Sequence, residues 1–182
     1  MHIFKNAVAA LAALVVLSGA AVAQDDSGAS LLDQLQGADP AEADRLERQI
    51  RMDWANSGSP TMDLLLKRGK DALEAGDVDT AIGHLSALTD HAPDFAEGWH
   101  TRAMAFFQEE EYGLALHDLE MTLALNPDHF GAIYGLAVVM ESLDRVDDAY
   151  ALYSRVLSLH PNHADAQAGH ERLAVRANGI DI

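Results

Sequence analysis

The sequence predicts an all-α protein in which three helix-turn-helix repeats stack as a solenoid, with one capping helix at each end. Three observations predict it. Side chains recur in register every 34 residues from Met62. A helix-start signal, Asp39-Pro40-Ala41-Glu42, precedes the recurring part. A helical stretch with no second helix after it, 164–177, follows. Self-similarity at such a period is the mark of repeat architectures.

Taken in order, residues 1–23 read as a signal peptide. Lys5 supplies a positive start, Ala7 to Leu17 is apolar, and Ala21-Val22-Ala23 offers small residues to a signal peptidase. The apolar run is short for a bilayer span. Cleavage after Ala23 would leave a chain beginning at Gln24, with no direct membrane binding and the periplasm as its expected location. Residues 24–38 are polar and mixed and read as a flexible linker, with a short helix turn at Ser30 to Leu35 as the open alternative. Residues 39–57 read as an N-terminal capping helix. Asp39 is the N-cap and Pro40 takes the first turn. Ala43, Leu46, Ile50 and Trp54 share one face, expected to cover the first repeat.

The repeats are expected at 62–95, 96–129 and 130–163. Pro93, Pro127 and Pro161 fall in one column, where each would end a helix. Ala81, Ala115 and Ala149 share another, and Gly69, Ala103 and Ala137 a third. Small residues there let the two helices of a hairpin cross closely; a bulky one would cost roughly 1–3 kcal/mol. Leu65, Trp99 and Ile133, then Leu85, Leu119 and Tyr153, fill the space between. Asp94, Asp128 and Asn162 are expected as N-caps, with Asp94 and Glu97 as an acidic capping box. In the C-terminal capping helix, 164–177, Ala166 and Leu173 cover the last repeat, and Asn178-Gly179 closes it.

Trp99, Ala103, Phe106, Ala115, Leu119 and Pro127 of the second row stand at the signature positions of the tetratricopeptide repeat (TPR). Residues 62–163 resemble that family, and the whole chain resembles small exported TPR proteins of proteobacteria. The resemblance implies a right-handed α-solenoid that binds polypeptides. Ala72 stands where an aromatic is common, and Arg68 and Arg102 replace a typical leucine. Those departures imply looser packing in the first row.

The resemblance also implies a concave wall made by the first helix of each repeat. Carried over, it contains Leu66, Lys67, Lys70, Leu73 and Glu74; His100, Thr101, Met104, Phe107 and Gln108; and Tyr134, Gly135, Val138, Glu141 and Ser142. The expected peptide-binding groove is His100, Met104, Phe107, Tyr134 and Val138, with Leu66, Lys70 and Leu73. The Lys, Asn and Arg set that clamps a terminal carboxylate in some TPR domains is not reproduced; only Lys67 and Lys70 are available.

Composition narrows the partner. With 12 Lys+Arg against 29 Asp+Glu, the net charge is −17, which repels nucleic acid and anionic lipid. An apolar or basic polypeptide segment fits better. No cysteine is present, so disulfides and thiolate chemistry are excluded. No catalytic residue, cofactor or metal site is expected. His129, His160, His163 and His170 read as solvated loop histidines, and Glu109-Glu110-Glu111 as a solvated turn. Two alternatives stay open: a self-associating structural protein forming a homo-oligomer, and a metal-responsive module using the loop histidines.

Overall fold

The computed structural model describes residues 26–177, so the expected signal peptide and the expected helix stop at Asn178-Gly179 lie outside the described residues. Among the described residues the chain forms α1 (Asp26–Gly37), α2 (Pro40–Trp54), α3 (Pro60–Glu74), α4 (Val78–His91), α5 (Ala96–Gln108), α6 (Tyr112–Leu125), α7 (Phe130–Ser142), α8 (Val146–Leu159) and α9 (Ala164–Ala177). Helices α3–α4, α5–α6 and α7–α8 are three hairpins stacked in sequence order, and α9 packs on α8.

The repeat columns form the core. Ala81, Ala115 and Ala149 have 0% exposure. At the Gly69 crossing, an added Cβ would lie 2.6 Å from Leu85 Cδ2, so the crossing needs a residue without one. Ala166 and Leu173 of α9 are buried in one cluster with Ile133, Ala149 and Tyr153.

The turn inside each hairpin repeats as well. Gly76, Glu110 and Asp144 have φ of 74°, 59° and 57°. In the first, Gly76 N–H donates to Leu73 O and Asp77 N–H to Ala72 O; Glu110–Glu111 and Asp144–Arg145 repeat the pair. This is the Schellman end, which satisfies the carbonyls a helix terminus leaves open. Only the first of the three uses glycine.

The turns between hairpins depart from expectation by one residue. Phe95 and His129, not Asp94 and Asp128, are the N-caps of α5 and α7. His129 Nδ1 accepts from Ala132 N–H at 3.1 Å, and His163 Nδ1 accepts from Ala166 N–H at 3.3 Å in the equivalent place before α9. The Asp94–Glu97 capping box does not form, because Glu97 is buried and engaged elsewhere.

The N-terminal segment corrects two expectations. Residues 24–38 are not a linker throughout: α1 occupies Asp26–Gly37, with Leu31 and Leu35 buried. Nor does α2 cap the first repeat. Its predicted face, Ala43, Leu46 and Ile50, packs on α1 and on Phe130 of the third hairpin. Trp54 stacks on His129 with ring centroids 4.2 Å apart and leans on Phe130 at 4.9 Å. Asn162 Nδ2 donates to Ala38 O at 2.9 Å, and His160 Nε2 lies 3.1 Å from Glu47 Oε2. Fully burying a side chain such as Leu35, Leu46 or Ile50 contributes roughly 1.5–3 kcal/mol, enough to dock the α1–α2 hairpin rather than tether it.

Candidate functional site

The concave side of α5 and α7 bounds a cleft of about 510 Å³. Met104 and Phe107 come from α5; Tyr134, Gly135 and Val138 come from α7. Arg51 of α2 and His163 and Asp165 at the start of α9 complete it. Met104 is 48% exposed, although nothing in its helix needs a methionine in water. Arg51 Nε donates to Glu47 Oε1 at 2.7 Å, and its guanidinium lies over the Phe130 ring at 5.3 Å. The docked α1–α2 hairpin thus supplies one edge of the cleft.

Of the eight groove residues read from the sequence, the structure brings five together: His100, Met104, Phe107, Tyr134 and Val138. The other three lie elsewhere. Leu66 is 3% exposed and sits in the core with Leu85 and Leu88, and Leu73 packs on the same cluster. Lys70 Nζ donates to Glu97 Oε1 at 2.6 Å. The cause is lateral: the first hairpin turns its apolar positions inward, and its remaining wall side chains are charged. Thr101 is also turned in, its hydroxyl donating to Glu97 O at 2.8 Å.

Beneath the cleft lies a buried polar knot. Glu97 Oε2 is 3.1 Å from His129 Nε2 and 3.4 Å from His100 Nδ1. Burial pushes the Glu97 carboxyl up, but the approach of His100 and His129 and the Lys70 charge outweigh it and hold the carboxyl well below the usual range. Burial and the neighbouring His100 push His129 down to about 4, against the pull of Glu97. The cap fixes its tautomer: Nδ1 accepts from a backbone N–H, so Nε2 carries the hydrogen and donates to Glu97. On the outer side, the hydrogen bond from His160 holds Glu47 at about 2; burial opposes this and Arg51 adds to it.

Two of the four loop histidines are therefore not solvated, and the other two, His163 and His170, are only partly exposed. His129 and His160 are each 1% exposed, and His163 stacks on Tyr134 at 5.0 Å. Glu97, His100 and His129 place ligand-type atoms within 4.8 Å of one another, which resembles a three-ligand metal set. Two of its three donors are committed, however. Ligating imidazoles donate their second N–H to an acceptor, whereas His129 Nδ1 faces a donor, Ala132 N–H. Lys70 already supplies the cation to Glu97.

The position before α7 was legible in part, since His129 and His163 share a column of the repeat. The knot was missed because Glu97 read as a surface capping acid. Arg102, in the second row, is tied in where a leucine is typical: its guanidinium pairs with Asp118 at 2.7 Å, donates to Thr89 at 2.8 Å and stacks on Trp99.

Stacked helical hairpins with an open apolar cleft define a helical-repeat scaffold of the kind that serves protein–protein interaction. Two tetratricopeptide-repeat family models match, over residues 66–116 and 106–173. A TPR repeat-containing protein of Rhizobium etli is 31% identical over 141 residues, 78% of this chain and 69% of that protein. The chain belongs to the tetratricopeptide-repeat family. Among solved structures, MamA superposes with a TM-score of 0.61 and 25% identity, over 81% of this chain and 84% of that one. The first TPR of Spaghetti (RPAP3), solved with the HSP90 peptide SRMEEVD, gives 0.63 and 24% identity, over 66% of this chain and 96% of that one.

Proposed function

We propose that this protein is a non-catalytic adaptor or assembly factor of the periplasm, holding an apolar or amphipathic segment of a partner polypeptide in the α5–α7 cleft. The observation that carries the reading is the cleft itself: Met104, Phe107, Tyr134 and Val138 side by side on a wet concave face. Methionine and aromatics are enriched at such contacts. The structure of the first TPR of Spaghetti (RPAP3), solved with an HSP90 peptide, supports a polypeptide as the class of ligand on this fold. Export rests on the three-part leader of residues 1–23.

The test places a photo-crosslinking side chain at position 107 in intact cells, with position 125 on α6 as control. Discrete polypeptide adducts specific to position 107, and lost in Met104→Glu, are expected. Identical adducts from both positions, or none, would remove the cleft from consideration. Intact mass of the protein from the periplasmic fraction should correspond to a chain starting at Gln24; a chain starting at Met1 would refute cleavage.

A further inference from the structure

The cleft reading leaves the chemistry of the partner open, and one polar atom in the floor narrows it. His100 is 7% exposed and lines the cleft beside Met104 and Phe107. Its Nδ1 is buried with no well-aligned hydrogen bond, and lies 3.4 Å from Glu97 Oε2. Lys70 Nζ at 2.6 Å favours the ionised form of that carboxyl, and a carboxylate only accepts. The hydrogen of the neutral His100 ring therefore belongs on Nδ1, and Nε2 presents a lone pair.

The other edge of the ring is kept open by a glycine. A Cβ at Gly131 would come within 3.3 Å of both Nε2 and Cε1 of His100, and Gly131 lines the same cleft. Among the described residues, no group donates to that Nε2. The formal charges on the lining, Arg51 and Asp165, cancel, so the field there follows the whole chain, at −17.

Resting on the polypeptide-binding reading above, we infer that the cleft selects a segment that sets bulky apolar side chains on Met104, Phe107, Tyr134 and Val138 and aims one N–H donor, preferably cationic, at His100 Nε2. An unfilled acceptor in an apolar floor penalises ligands that cannot donate. Lysine or arginine is favoured over asparagine or glutamine because of the acidic field.

The experiment pans a random peptide library displayed on phage against the purified chain. Enriched peptides should share apolar residues around one Lys, Arg, Asn or Gln. In a synthetic copy, replacing that donor by Met should weaken binding roughly tenfold. His100→Phe should erase the difference. Glu97→Gln, whose amide can donate to Nδ1, should shift the preference toward acceptor side chains. Circular dichroism checks that each variant folds. Enrichment of Asp or Glu at that position by the wild-type chain, or a donor preference unchanged in both variants, overturns the inference and leaves the cleft reading standing. No enrichment, or enrichment indifferent to Met104→Glu, overturns both.

Discussion

Helix α3 of the first hairpin and α5 of the second occupy equivalent places in the stack and carry different chemistry. Lys70 stands in the column of Met104, and Leu73 in that of Phe107. Lys67 pairs with Asp71 of its own helix at 2.6 Å, Lys70 reaches Glu97, and Leu73 turns inward. On α5 the same columns line a cleft. Columns that hold hairpins together, such as Ala81, Ala115 and Ala149, tolerate no such variation, because each lies where two helices cross. Stacking constrains some faces and leaves others free, and the free face of the distal hairpins is where the apolar surface accumulates.

The largest effect should come from Phe130→Ala. Phe130 is 0% exposed and receives the α1–α2 hairpin, so its loss should cost about 3–5 kcal/mol. Hydrogen exchange should show α1–α2 losing protection before α3–α4. Loss spreading first to the first hairpin would mean the N-terminal helices cap it after all. Next is Asp118→Ala, which strands the Arg102 guanidinium at 14% side-chain exposure and should cost about 3 kcal/mol. Arg68→Leu, in the same column of the exposed first hairpin, should change stability by no more than about 0.5 kcal/mol. Urea melts of the two variants compare the rows directly.

Acid should destabilise the array as a whole. His129 takes a proton near 6.5 when unfolded and only near about 4 when native. Between those values the unfolded chain holds more protons, so stability falls as pH falls, by about 1.4 kcal/mol per pH unit for one proton. Glu47, lowered from 4.5 to about 2, acts in the same direction below 4.5. His129→Asn, which keeps a side-chain acceptor for the cap, should flatten thermal melts between those pH values. A slope as steep as in the wild type would place the titration elsewhere. A small effect is expected at the turns: Glu110→Gly and Asp144→Gly should each stabilise by roughly 0.5–1 kcal/mol, while Gly76→Ala should lose a similar amount. Calorimetry showing no difference among the three would mean that the positive φ is not strained.

The hairpins were legible because three of the repeating columns, Ala81–Ala115–Ala149, Gly69–Ala103–Ala137 and Leu85–Leu119–Tyr153, correspond to buried positions, and burial is what their spacing records. The address of α2 was not. Ala43, Leu46 and Ile50 announce that the helix packs, but an amphipathic face does not name its partner, and Phe130 lies far along the chain. The distal part of the cleft was legible from the family register. Leu66, Lys70 and Leu73 were not, since the packing of Leu66 and Leu73 on the first-hairpin core and the pairing of Lys70 with Glu97 are tertiary outcomes. His129 as a cap was hidden by its residue type, because the usual short oxygen caps stood one position earlier at Asp94 and Asp128.

Lys70, Glu97 and His129 belong to helix α3, helix α5 and the cap of α7, and one carboxylate engages both partners. A solenoid held only by contacts between neighbours can fray one unit at a time. Here, peeling away either end would strip a partner from an interior anion, so the array should melt as one body rather than unit by unit.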